Sequence, residues 1–166
     1  VTNLARKKEL KSSMTWRNDL YVFGGNSQMR QISKLIGCQL TRIGELSFDH
    51  FYGAGGRIFD TAYIYNNGKG DKYLGDWINS RNLEKEIIVI GKGAHTPQCD
   101  PQFIRPQILE SLERLNIQTL DIFCLHRDNP DIPVSEFMDA LDEVKSEGLI
   151  NLIGASNWEL ARFSEA

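Results

Sequence analysis

Four polar residues, Asp60, Lys92, His126 and Ser156, each follow a short apolar run, and they recur at intervals of 32, 34 and 30 residues. One strand, one helix and two loops occupy about thirty residues, so the spacing reads as a repeated βα unit. The runs predict strands near 57–60, 87–91, 120–125 and 149–154, with a further one near 35–38 at Leu35-Ile36-Gly37-Cys38. Ile87-Ile88-Val89-Ile90 is β-branched and unbroken by polar residues, as suits a strand covered on both faces.

Helical periodicity fills the intervals. Phe48, Phe51 and Tyr52 fall at i, i+3, i+4, with Gly55-Gly56 as the stop. Tyr73, Leu74, Trp77 and Ile78 share the face of a second helix ending near Arg81. Ile108, Leu109, Leu112 and Leu115 mark a third, with Pro106 in its first turn. Phe137, Leu141 and Val144 line a fourth, which starts near Pro133 and stops at Gly148. A last amphipathic stretch runs from Trp158 to Ala166, with Asn157 as the expected N-cap.

Alternation of this kind demands parallel strands and right-handed crossovers, hence a barrel or a doubly wound sheet. No Gly-x-Gly-x-x-Gly opens any helix, so the open sheet lacks its dinucleotide fingerprint. The polar residues at the strand C-termini fit the face where barrels place their chemistry. The expected fold class is therefore α/β, of (β/α)8 TIM-barrel type.

Composition narrows the setting. The chain has 166 residues, is 41% hydrophobic and 25% charged, and has a net charge of −3, which argues against a disordered or collagenous chain. No apolar run reaches the roughly 18–20 residues of a membrane helix, and three cysteines, Cys38, Cys99 and Cys124, show no CxxC spacing. A cytoplasmic protein is expected, with no metal, nucleic-acid or membrane partner. Residues 1–33 carry six Lys and Arg against two Asp and Glu, leaving a net −7 for the rest. This arm matches no motif and is left unassigned; a solvated tail is the plain reading, an anion- or partner-binding segment the sharper one.

Each rim residue has a structural reading of its own: Asp60 as a loop cap, Lys92 as a solvated lysine, His126 as a satisfied loop histidine, Ser156-Asn157 as a helix cap. Their shared rim, with Tyr65 five residues beyond Asp60, favours chemistry. An ammonium held by a carboxylate beside a phenol stabilises the phenolate left when the proton departs, so tyrosine can serve as a general acid. A neutral histidine nearby can hydrogen-bond a carbonyl oxygen and orient it. These residues describe a proton-transfer site for a carbonyl group.

Phe59-Asp60-Thr61-Ala62-Tyr63-Ile64-Tyr65, followed by Gly68 and Leu74-Gly75, resembles the aldo-keto reductase signature. Lys92 at the end of its strand, Ser111-Leu112-Glu113-Arg114-Leu115, Leu125-His126-Arg127 and Gly154-Ala155-Ser156-Asn157-Trp158 follow in the family's order, so the resemblance covers residues 34–166. It implies a catalytic tetrad of Asp60, Tyr65, Lys92 and His126, in which Tyr65 donates the proton, Lys92 and Asp60 tune it and His126 orients the carbonyl. Ser156 and Asn157 would hold the nicotinamide carboxamide. The implied reaction is reduction of an aldehyde or ketone to an alcohol with NADPH, or with NADH as the alternative; no metal is implied. Asn66, Gly70-Asp71 and Gly91 depart from the family's usual Gly, Ser-Glu and Thr, and Gly70 weakens the expected start of the second helix.

Five predicted strands in 34–166 make an incomplete barrel, whose open edges expose it to self-association. The expectation is an N-terminal portion of a longer reductase that by itself binds no NADPH saturably. The alternative is a truncated or non-catalytic barrel fragment serving as an interaction or regulatory module.

Overall fold

The computed structural model describes residues 40–166. The arm 1–33, the strand expected near 35–38 and Cys38 lie outside the described residues. Helix α1 (Leu40–Gly53) leads into β1 (Ile58–Asp60), followed by α2 (Lys69–Arg81), β2 (Ile88–Gly93), a 3-10 turn (Pro101–Phe103), α3 (Ile104–Leu115), β3 (Leu120–Leu125), α4 (Val134–Ser146), β4 (Ile150–Ala155) and α5 (Leu160–Glu165). The strands form one parallel sheet in the order β1-β2-β3-β4. Phe59 pairs with Val89, Lys92 with Cys124 and Cys124 with Gly154.

Alternation along the strands sorts core from site. Phe59, Val89, Phe123 and Leu125 join the buried cluster that also contains Leu74, Trp77, Ile108, Leu115, Phe137 and Leu141 of the helices. Their neighbours Asp60, Lys92 and Cys124 consequently turn to the opposite face of the sheet. Trp77 is fully buried; its ring centroid lies 4.9 Å from that of Phe59 and 5.4 Å from that of Phe48. Phe48, Phe51 and Tyr52 pack α1 on this core, as their spacing predicts.

Four helices end in the same way, with a left-handed residue whose N–H and that of its successor return to the last turn. Gly55 (φ 97°) closes α1 and Gly148 (φ 78°) closes α4, where the predicted stops lie. At α2 and α3 the position is filled by Asn82 (φ 55°) and Asn116 (φ 51°). Asparagine tolerates this region through its short polar side chain.

Two predictions are corrected. Lys92 lies within β2 rather than at its end, because pairing continues to Gly93 opposite Leu125. Asn157 does not cap the last helix: α5 begins at Leu160 after Glu159, and Asn157 (φ 61°) turns its side chain elsewhere.

Candidate active site

The chain leaving each strand stays stitched to its neighbour. Thr61 N donates to Ile90 O at 2.8 Å, Tyr63 N to Lys92 O at 2.8 Å, His126 N to Gly93 O at 2.7 Å and Ser156 N to Leu125 O at 2.8 Å. One continuous rim therefore carries the residues that follow β1, β3 and β4, and Lys92 reaches it from within β2.

On that rim Lys92 Nζ donates to Asp60 Oδ1, the two side chains being 7% and 14% exposed. The same ammonium lies 5.1 Å from the centroid of the Tyr65 ring. Tyr65 stands edge-on to His126, with ring centroids 5.6 Å apart and planes at 81°. All four residues thus meet at one place. A left-handed turn, Asn66, Asn67 and Gly68, follows Tyr65, and Gly70 N closes it on Tyr65 O at 3.1 Å. Glycine suits position 68 because its φ of 81° is left-handed, a conformation that a Cβ strains. This left-handed Gly68, with no side-chain cap, is where α2 starts.

Burial, reinforced by the charges of Lys92, His95 and Arg127, pushes the His126 imidazole down to about 4, so it is neutral near pH 7. Its Nδ1 is buried and has no hydrogen-bond partner among the described residues. Burial likewise pushes the Cys124 thiol up to about 11.

The loop after β3 is clamped by the segment after β4. Asn157 Nδ2 donates to His126 O at 3.0 Å and to Ser156 Oγ at 2.8 Å, and Trp158 Nε1 donates to Arg127 O at 3.1 Å. Arg162 forks onto Asp128 and also reaches the carbonyls of Asn129 and Ile132. With its amide nitrogen committed, Asn157 keeps Oδ1 as an acceptor. Ser156 Oγ accepts from Asn157 and keeps its own proton to donate. One donor beside one acceptor matches a primary carboxamide.

Two contributors escaped the sequence reading. His95 stacks edge-on against His126 with centroids 4.8 Å apart; its position three residues beyond Lys92, at the same end of a strand, was the available signal. Asp71, visible only as a departure from a motif, is fully buried and accepts from Thr61 Oγ1 at 2.6 Å and Ser111 Oγ at 2.8 Å. It ties α2 and α3 to the residue next to Asp60.

The sequence model of the aldo/keto reductase family matches residues 46–166. The chain belongs to the aldo/keto reductase family. Aldo-keto reductase str7 of Strobilurus tenacellus is 32% identical over 111 residues, covering 65% of this chain and 32% of that protein. An aldo-keto reductase of Bacillus halodurans in its holo form superposes with a TM-score of 0.64 at 26% identity, over 76% of this chain and 44% of its own. An aldo/keto reductase from Klebsiella pneumoniae, solved in complex with NADP and acetate, superposes with a TM-score of 0.59 at 26% identity, over 89% and 46%. The fold is thus that of the aldo/keto reductase TIM barrel, and the four described strands are an incomplete set of its eight. The chain spans between about a third and a half of the length of these relatives. Among the described residues no helix is long and apolar enough to cross a membrane, and no three His, Cys, Asp or Glu are grouped to hold a metal.

Proposed function

We propose that the protein is an oxidoreductase that reduces an aldehyde or ketone to an alcohol with NADPH, and that Asp60, Tyr65, Lys92 and His126 carry the chemistry. The observation that supports this most strongly is the meeting of a buried Lys92–Asp60 pair, a phenol and a neutral imidazole at one point of the rim. NADPH, when bound, supplies the hydride to the carbonyl carbon; the Klebsiella relative was solved with NADP. Ser156 and Asn157 would hold its carboxamide through the donor and acceptor they leave free.

The protein's own part is at the carbonyl oxygen. As negative charge develops there, Tyr65 Oη gives up its proton to that oxygen and is left as a phenolate, which Lys92 stabilises through its charge. Asp60 fixes the ammonium in place. His126, being neutral, donates a single hydrogen bond to the same oxygen without competing as a proton source. Solvent then returns a proton to Tyr65.

The test is isotope transfer in the full-length protein. Incubation of an aromatic aldehyde with NADPH deuterated at both positions of the nicotinamide C4 is expected to give an alcohol carrying one deuterium at the carbinol carbon. An alcohol without deuterium, or no consumption of NADPH with any aldehyde or ketone tried, contradicts the proposal.

A further inference from the structure

Six arginines lie between Gly44 and Ala166, and the side chains of five are engaged. Arg57 donates to the carbonyls of Tyr52 and Gly56, Arg81 pairs with Asp49, Arg105 with Glu147, Arg114 with Glu110 and Arg162 with Asp128. The guanidinium of Arg127, on a half-buried residue, makes no hydrogen bond, ion pair or ring contact among the described residues. Its backbone is nonetheless fixed, because its carbonyl accepts from Cys99 Sγ at 3.2 Å and from Trp158 Nε1 at 3.1 Å. The carboxylate of Asp128, the next residue, is paired with Arg162.

A guanidinium is always charged, and holding it partly out of water without a partner costs free energy that a bound anion would return. Arg127 directly follows His126 on the rim, and its charge is felt at that imidazole. Lys92, the other cation there, is already paired with Asp60. We propose that Arg127 receives an anionic group, carboxylate or phosphate, on the carbonyl substrate, so that the preferred substrates are negatively charged aldehydes or ketones. This rests on the reductase reading and narrows its substrate class. The planar fork of arginine suits either anion, because both accept two parallel hydrogen bonds.

The experiment compares kcat/KM of the full-length protein for para-carboxybenzaldehyde against its methyl ester, and for glycolaldehyde phosphate against glycolaldehyde. The charged member is expected to be preferred by about tenfold or more in at least one pair, the pair identifying the anion. Arg127→Met is expected to abolish that preference, mainly through KM for the charged substrate, and Arg127→Lys to restore part of it. No preference in the wild type, or one that survives in Arg127→Met, overturns the proposal. Should no carbonyl compound be reduced, the reductase reading fails separately, and calorimetric titration with terephthalate and inorganic phosphate decides the anion site. Saturable binding weakened about tenfold by Arg127→Met upholds it, and absent or unchanged binding overturns it. Arg127→Gln replaces the methionine variant if thermal unfolding shows the latter to be misfolded.

Discussion

Lys92 and Asp60 form an ion pair between neighbouring strands, at the one place on the rim where the lysine ammonium also faces the Tyr65 ring. The pair is nearly withdrawn from water, so its two members are worth less apart than together. Asp60→Asn leaves a buried ammonium without its counter-charge and is expected to cost roughly 3 kcal/mol in urea denaturation. Asp60→Asn combined with Lys92→Met removes both charges and is expected to recover much of that loss while activity stays abolished. A double variant no more stable than Asp60→Asn would show that the pair does not behave as a coupled buried unit.

The strand order and the rim were legible because parallel strands covered on both faces are continuous apolar runs, and because βα units repeat at a nearly fixed length. Ile87–Ile90 and Leu120–Leu125 announced themselves in this way. What stayed hidden depends on three-dimensional neighbours. Strand β2 runs through Lys92 to Gly93 because of what β3 presents opposite, and Asn157 misses its expected capping position because the chain turns left-handed there and becomes helical only at Leu160. The second helix ends at Arg81 as predicted, but the left-handed role of Asn82 and Asn116 stayed hidden because glycine is the commoner residue there. His95 was passed over because its one signal, a place three residues beyond Lys92, does not show that the loop folds back to set it against His126.

Protonation of His126 couples folding to pH. The folded chain excludes a proton from this imidazole down to about pH 4, whereas the unfolded chain takes one up near 6.5. Stability is therefore full above 6.5 and declines as the pH falls through that window, by on the order of 2 kcal/mol. Urea midpoints measured from pH 7 to pH 4 are expected to fall more steeply in the wild type than in His126→Gln; parallel profiles would contradict the burial of a neutral histidine.

Gly75 sets how closely α2 approaches α3. A Cβ there would lie 2.5 Å from Leu115 O and 2.6 Å from Leu115 Cα, both backbone atoms that cannot swing aside. Gly75→Ala is expected to destabilise by about 2–3 kcal/mol. By contrast Asn116→Gly, at the left-handed end of α3, is expected to change stability by no more than about 0.5 kcal/mol. Equal effects of the two substitutions in chemical denaturation would count against the close helix contact.

Burial pushes the thiols of both Cys99 and Cys124 up, the latter to about 11, so neither is a ready thiolate near neutrality. Mass spectrometry after brief iodoacetamide treatment at mildly alkaline pH is expected to find both unmodified in the native protein and both alkylated in urea. Native labelling of Cys124 would place it outside the interior.

The most direct test of the central claim is NADPH oxidation by Tyr65→Phe in the full-length protein. The substitution deletes one hydroxyl and keeps the ring that faces Lys92 and His126. With Tyr65 as the proton donor, kcat/KM for an aldehyde falls by at least about a hundredfold while the thermal midpoint and NADPH binding stay near those of the wild type. Turnover within a few-fold of wild type in a folded Tyr65→Phe protein would show that the proton comes from elsewhere.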